Sequence, residues 1–180
     1  MDLILITGGV RSGKSAYAQG RALSGGDDDV TFIATARPSD EEMENRIARH
    51  QRERPSAWRT VETSHDVGVV VERAASRVVV VDCITLLAAE AMGRVRPASA
   101  TGIEEAVSRE VTGLVSALRA REGVLIAVTN EVGLSVHPET ELGRYFQDAL
   151  GHANQVLARA ATELVMMVCG VPLHVKRGSA

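Results

Sequence analysis

The chain has 180 residues, 45% of them apolar and 24% charged, and 20 basic against 23 acidic residues leave a net charge of −3. That profile predicts one soluble α/β domain spanning 1–180, large enough for a substantial core. Mild acidity and an aromatic content of 3% argue against a nucleic-acid surface, and no apolar run approaches a membrane span.

The first apolar run, Leu3-Ile4-Leu5-Ile6-Thr7, reads as a buried strand. It starts so close to the N-terminus that no signal peptide is expected, and the cytoplasm is the expected compartment. Gly8, Gly9, Val10, Arg11, Ser12, Gly13, Lys14 and Ser15 follow. They fit G-x-x-x-x-G-K-[ST] between that strand and a helix predicted over 15–23, the context the phosphate-binding loop requires. Glycines let successive N–H groups turn inward toward phosphate oxygens, and the helix N-terminus adds partial positive charge. Lys14 is placed to reach the β- and γ-phosphates, and the Ser15 hydroxyl to ligate Mg²⁺. The loop specifies a nucleoside triphosphate without specifying the reaction.

A second strand is predicted over 30–35, then a helix. Ser39 with Glu42 forms a capping box, acids fill the first turn, and Arg46, Arg49, His50 and Arg52 fall toward the end before Pro55. A short strand over 58–62 ends in Glu62, and a helix is expected over 66–75. The β-branched run 77–81 reads as a central strand buried on both faces, ending in Asp82. A helix over 84–92 precedes a segment, 93–102, expected to be a mobile loop. Helix 103–121, strand 124–128, the polar stretch Thr129-Asn130-Glu131, and a long helix over 138–161 complete the alternation. The alternating strands should be parallel. The last two, 162–169 and 171–175, are joined so tightly at Gly170 that they must be antiparallel. Cys83 and Cys169 are each flanked by apolar residues and are expected to be buried free thiols.

Two chemical roles fit each candidate. Asp82 can hold Mg²⁺ beside Ser15 or cap the helix that follows. Arg11 and Ser12 can contact phosphate or lie solvated in the loop. A neutral imidazole at His50 can attack a phosphoryl group and carry a nucleotidyl intermediate, or it can simply complement a helix C-terminus. The arginines around it can bind polyphosphate or form a solvated face. Glu62 can pair with an arginine or accept hydrogen bonds from a base or ribose. Asn130 and Glu131 sit where doubly wound sheets place ligands, yet they can equally cap a turn.

The chain resembles the bifunctional cobinamide kinase / cobinamide-phosphate guanylyltransferase family of cobalamin biosynthesis. The resemblance rests on the loop from Thr7 to Ser15, Phe32-Ile33-Ala34-Thr35, Arg46-Ile47-Ala48-Arg49-His50, Arg54-Pro55 and Trp58-Arg59-Thr60-Val61-Glu62. It continues through Asp82-Cys83-Ile84-Thr85, Thr129-Asn130-Glu131-Val132-Gly133 and Asn154-Gln155, in order over nearly the whole length. It implies a RecA-like α/β sheet of the P-loop NTPase class and a homo-oligomer resembling a trimeric propeller. It also implies two activities: phosphorylation of adenosylcobinamide by ATP or GTP, and transfer of GMP from GTP to that phosphate through a guanylylated histidine, His50. Beyond the loop, the resemblance places nucleotide contacts on Thr35, Ala36, Arg37, Gln51, Arg52, Glu53, Arg54, Glu62 and Asp82. Mg²⁺ would lie between Ser15 and Asp82, Lys14 would act in catalysis, and the other partner would be a corrinoid. A simple P-loop kinase and a nucleotide-binding switch are the competing readings.

Overall fold

Strands that are buried on both faces need helices to cover them, and the described chain supplies helices very unequally. The computed structural model describes residues 1–26, 28–38, 40–52 and 54–178, with the side chain of Arg46 outside that description. In chain order the elements are β1 (Asp2–Gly8), α1 (Lys14–Gly26), β2 (Val30–Ala34), α2 (Glu41–Arg52), β3 (Arg59–Glu62), α3 (Val67–Arg73) and β4 (Val78–Asp82). There follow α4 (Ile84–Gly93), α5 (Ala100–Ala120), β5 (Val124–Val128), a 3-10 turn (Val132–Leu134), α6 (Glu141–Ala160), β6 (Glu163–Val168) and β7 (Val171–Lys176).

The strands form one sheet in the order β3-β2-β4-β5-β1-β6-β7. All pairings are parallel except β6 with β7. The expected antiparallel hairpin is therefore present. It turns through Cys169 at φ 52° and Gly170 at φ 85°, the positive-φ pair that matches strand twist in two-residue hairpins. The order inserts β5 between the loop-bearing strand β1 and the Asp82-bearing strand β4. Val128 at the end of β5 is in register with both Ile6 and Asp82.

One face of the sheet packs Leu3, Leu5, Ile33, Val79, Val81 and Leu125 against α3, α4, α5 and α6. The other packs Ile4, Ile6, Phe32, Val80 and Ile126 against Ala18 and Ala22 of α1 and against Trp58. Val78 to Val81 are all buried, as their β-branched run predicted. On the side with a single helix, Trp58 stacks on Phe32 at a centroid distance of 6.4 Å, and the Arg54 guanidinium lies 3.9 Å from the Phe32 ring centre. Such aromatic and cation–π contacts supply some of the cover that a second helix would give.

Helix starts depart from expectation where a side-chain cap sets a different first residue, later in one helix and earlier in another. The long last helix begins at Glu141 and not at Pro138, because the Thr140 side chain accepts from the Gly143 N–H. Leu142, in its first turn, is 45% exposed. α5 begins at Ala100, capped by Ser99, whose hydroxyl accepts from the Gly102 N–H at 3.2 Å. The expected 93–102 loop thus shrinks to 94–99, and Arg94 ties it to the Ser64 carbonyl at 2.9 Å. The expected cap Ser39 lies outside the described residues; Asp40 Oδ1 accepts from the Met43 N–H at 2.8 Å at the start of α2.

α3 and α5 cross closely because glycines face one another. A Cβ on Gly68 would lie 2.4 Å from the Gly113 carbonyl carbon and 2.5 Å from its oxygen, whereas a Cβ on Gly113 would meet only the Gly68 Cα at 3.9 Å. Gly68→Ala should therefore destabilise the protein by about 2 kcal/mol or more, since backbone must move. Gly113→Ala should be neutral or stabilising by up to about 1 kcal/mol from helix propensity. Urea unfolding midpoints of the two variants check this; equal midpoints would contradict the crossing.

Candidate active site

The site forms where β1, β4 and β5 end together. Gly8 leaves β1 at φ 143°, Arg11 sits at φ 56° and Gly13 at φ 94°, so the loop curls as a phosphate cradle must. A Cβ on Gly8 would fall 2.5 Å from the Met167 carbonyl oxygen, so only glycine fits there. The Lys14 ammonium donates to the Gly9 carbonyl at 2.6 Å and lies over the loop. Ser12 is buried, with its hydroxyl making no hydrogen bond among the described residues, while Arg11 is exposed. Of the two expected solvated possibilities, only Arg11 meets solvent.

Both flanks of the loop are gripped. On one side the Gly170 N–H, at the tip of the β6–β7 hairpin, donates to the Ser12 carbonyl at 3.1 Å. On the other, the Glu131 N–H donates to the Gly8 carbonyl at 3.3 Å, and Thr7 Oγ1 donates to Glu131 Oε1 at 3.0 Å. Asn154 of α6 completes this side: its Nδ2 donates to the Asn130 carbonyl at 3.0 Å, and its Oδ1 accepts from Thr129 Oγ1 at 2.7 Å. Sequence reasoning assigned no part in the site to Thr7 or Asn154, and gave Gly170 only the hairpin turn. The blocks Thr129-Asn130-Glu131 and Asn154-Gln155 were the available signal, but no local pattern says that they meet.

α2 runs over this edge and divides the cleft into two adjoining cavities. One, of about 330 Å³, is lined by Arg11, Lys14, Ser15, Arg49, Asp82 and Asn130, among others. The second, of about 350 Å³, has an apolar wall from Ala34, Ala36, Pro38 and Ile47, with Gln51, Arg54 and Glu62 among its polar groups. His50, Ser15 and Asp82 line both. The candidate nucleophile thus stands at the junction between a chamber lined by the phosphate loop and a partly apolar one.

The remaining expected contacts separate. Gln51 Nε2 donates to Glu62 Oε1 at 3.1 Å, so among the described residues Glu62 hydrogen-bonds an amide and not an arginine. Arg54 has Nε and Nη1 buried without a hydrogen-bond partner among the described residues. Burial pulls its pKa down, against the opposing pull of Asp82 and Glu62. Buried donors without hydrogen-bond partners are a cost that an acceptor group on a ligand would offset. Thr35 is fully buried and does not line either cavity. Its hydroxyl donates to the Cys83 carbonyl and accepts from the Cys83 N–H, both at 2.7 Å, so it braces the wall from behind. Ala36 lines the second cavity, but Arg37 faces Glu90 at 3.9 Å, away from both. Arg52 borders a shallower cavity with Trp58 and Glu62. Glu53 lies outside the described residues. Among the described residues no group of three or more His, Cys, Asp or Glu could hold a metal.

Comparison with known proteins decides the family. Residues 4–175 match the model of the family described as cobinamide kinase / cobinamide phosphate guanyltransferase. The chain belongs to this family. It is 36% identical over 182 residues to the bifunctional adenosylcobalamin biosynthesis protein CobU of Escherichia coli, covering 97% of this chain and 99% of that one. The CobU of Salmonella typhimurium matches at the same identity and coverage. The CobP of Pseudomonas aeruginosa is 37% identical over 174 residues and 96% of each chain. Among solved structures, a KaiC-like protein of Pyrococcus horikoshii aligns at 14% identity and TM-score 0.47, over 92% of this chain and 71% of that one. The P4 protein of bacteriophage phi6 in complex with ADP aligns at 14% identity and TM-score 0.48, over 96% of this chain and 54% of that one.

The cysteines differ from each other, against the expectation that both are buried. Cys169 is exposed on the hairpin tip, because its positive φ places it in the turn. Cys83 is partly buried, and burial, then the Asp82 charge, push its thiol up to about 11. The thiolate is the reactive form, so Cys83 should resist alkylation. Iodoacetamide at pH 8 should add one label to the native chain, at Cys169, and a second only after unfolding. Two labels on the native protein, read by intact mass, would contradict this placement.

Proposed function

We propose that this chain phosphorylates adenosylcobinamide with a nucleoside triphosphate and then transfers GMP from GTP to that phosphate, using one cleft for both steps. The observation that carries the reading is His50, shared by the cavity that the phosphate loop lines and the partly apolar one. A triphosphate with β- and γ-phosphates in the loop and its base against Ala36, Ile47 and Glu62 brings its α-phosphate to that junction.

In the first step the loop and Lys14 hold the triphosphate, and the acceptor oxygen bonds to the γ-phosphorus. The bond to the bridging oxygen breaks, and its electron pair leaves on the diphosphate. In the second, a His50 ring nitrogen bonds to the α-phosphorus and pyrophosphate leaves with the α–β bridging pair. The cobinamide phosphate oxygen then bonds to the same phosphorus, and the P–N electron pair returns to the imidazole. Arg49 and Arg11 border the chamber where negative charge accumulates.

Ser15 and Asp82 line the same chamber, one hydroxyl and one carboxylate. That donor pair fits Mg²⁺, which takes few protein ligands and completes its shell with phosphate oxygens and water. When bound, Mg²⁺ would neutralise phosphate charge. The reading also includes a cytoplasmic homo-oligomer, with a trimer as the family expectation. It is supported by Val171, Leu173 and Val175, which alternate along the edge strand β7 and are each more than half exposed. No described helix is long and apolar enough to cross a membrane.

Two substitutions test the reading. Lys14→Ala removes a charge-assisted phosphate contact worth about 1.5–3 kcal/mol, and both activities should fall together by roughly 10- to 100-fold. His50→Asn should abolish GMP transfer and the GMP adduct seen by mass after incubation with GTP and Mg²⁺, while cobinamide phosphorylation survives. That adduct should be acid-labile and base-stable, as a phosphoramidate is. Retained GMP transfer in His50→Asn would move the nucleophile elsewhere.

A further inference from the structure

The cavity over the phosphate loop has polar lining residues that neither the loop motif nor the histidine block accounts for, and Asn130 is one of them. Asn130 stands two positions beyond Val128, the residue in register with both Ile6 and Asp82. It therefore emerges between the phosphate loop and the Asp82 carboxylate. Its backbone is fixed from both directions: the N–H donates to Thr85 Oγ1 at 2.9 Å, and the carbonyl accepts from Asn154 Nδ2 at 3.0 Å. Its side-chain amide, in contrast, makes no hydrogen bond among the described residues and borders the cavity that also holds Lys14, Ser15 and Asp82. It does not cap the following 3-10 turn, whose N-cap position is Glu131. A strand-end asparagine used for its turn would hydrogen-bond nearby backbone; this one offers the amide to the cavity.

We propose that Asn130 is a catalytic residue of the phosphoryl-transfer step. Its Nδ2 donates to an oxygen of the γ-phosphoryl group, and its Oδ1 accepts from the acceptor hydroxyl. A carboxamide suits both tasks, because it has two donors and an acceptor and no charge to repel phosphate. As the acceptor oxygen bonds to phosphorus, the bond to the β–γ bridging oxygen breaks. Its electron pair leaves on the nucleoside diphosphate, and the hydroxyl proton passes to solvent water. Donors fixed toward charge that builds in the transition state are worth most when their scaffold does not move, and the two backbone bonds supply that scaffold. The GMP transfer reacts at the α-phosphorus, where His50 attacks, so Asn130 should matter far less to it.

This inference rests on the two-step reading above. Asn130→Ala and the near-isosteric Asn130→Asp both keep the backbone bonds, so thermal midpoints should match wild type. Asn130→Ala should lower kcat for cobinamide phosphorylation 10- to 100-fold, leaving the rate of GMP-adduct formation at saturating GTP within about threefold, whereas Asn130→Asp adds a charge that repels phosphate and should lower phosphorylation at least as far. Binding supplies an arm that does not need the acceptor: Asn130→Ala should weaken a non-hydrolysable ATP analogue several-fold while leaving ADP unchanged. If wild type phosphorylates no cobinamide, the two-step reading fails, and the ATP-analogue against ADP ratio still decides Asn130. A phosphorylation rate within threefold of wild type in Asn130→Ala, equal losses in both steps, or an unchanged binding ratio would each overturn the proposal. Should Asn130→Ala not fold, Asn130→Ser, which adds no charge, carries the same comparison.

Discussion

A phosphate loop must hold a concave backbone whose N–H groups point at a ligand and not at one another, and it cannot do this alone. Here the curve is held because both flanks are gripped by segments far away in sequence. The β6–β7 hairpin tip reaches Ser12 through Gly170, and the end of β5 reaches Gly8 through Glu131. Gly8 has no room even for a Cβ, with the Met167 carbonyl 2.5 Å from where one would stand. The C-terminal strands, which contribute no side chain to the described cavities, are in this sense part of the nucleotide site. Their place in the fold follows from what the loop needs.

The second constraint is the uneven cover of the sheet. Four helices pack one face, whereas α1 and Trp58 cover the other. The edge of that lightly covered face is where the chain crosses from α2 to β3. There Arg54 closes on Phe32 and Gln51 reaches Glu62. These contacts fix the C-terminal end of the helix that carries His50. A cation–π contact contributes about 0.5–2 kcal/mol depending on its burial, enough to hold a helix end without cementing it.

Much of this was readable from residues. The loop motif, the β-branched strand ending in Asp82 and the two-residue hairpin each follow from local chemistry, and each lies where expected. The insertion of β5 between β1 and β4 has no local signature. Alternating strands and helices predict parallel pairing, but not which strands become neighbours. For the same reason the meeting of Thr7, Glu131 and Asn154 was hidden, although every residue in it was visible. Thr35 illustrates another limit: a threonine at a strand end can face a ligand or brace the backbone, and only the Cys83 N–H and carbonyl on either side of its hydroxyl show the bracing. Apolar neighbours suggested that Cys169 is buried, yet the hairpin turn directs it outward. Pro138 and Leu142 suggested an early start for the last helix, where the Thr140 cap sets a later one.

The central claim is that one cleft, shared by the loop and His50, holds the nucleotide for both reactions. The most direct measurement is the stoichiometry of nucleotide binding by calorimetry, with a non-hydrolysable ATP analogue titrated into protein already saturated with a non-hydrolysable GTP analogue. A single cleft predicts one nucleotide per chain and straightforward competition between the two. Simultaneous binding of both analogues to one chain would contradict it and require a second nucleotide site.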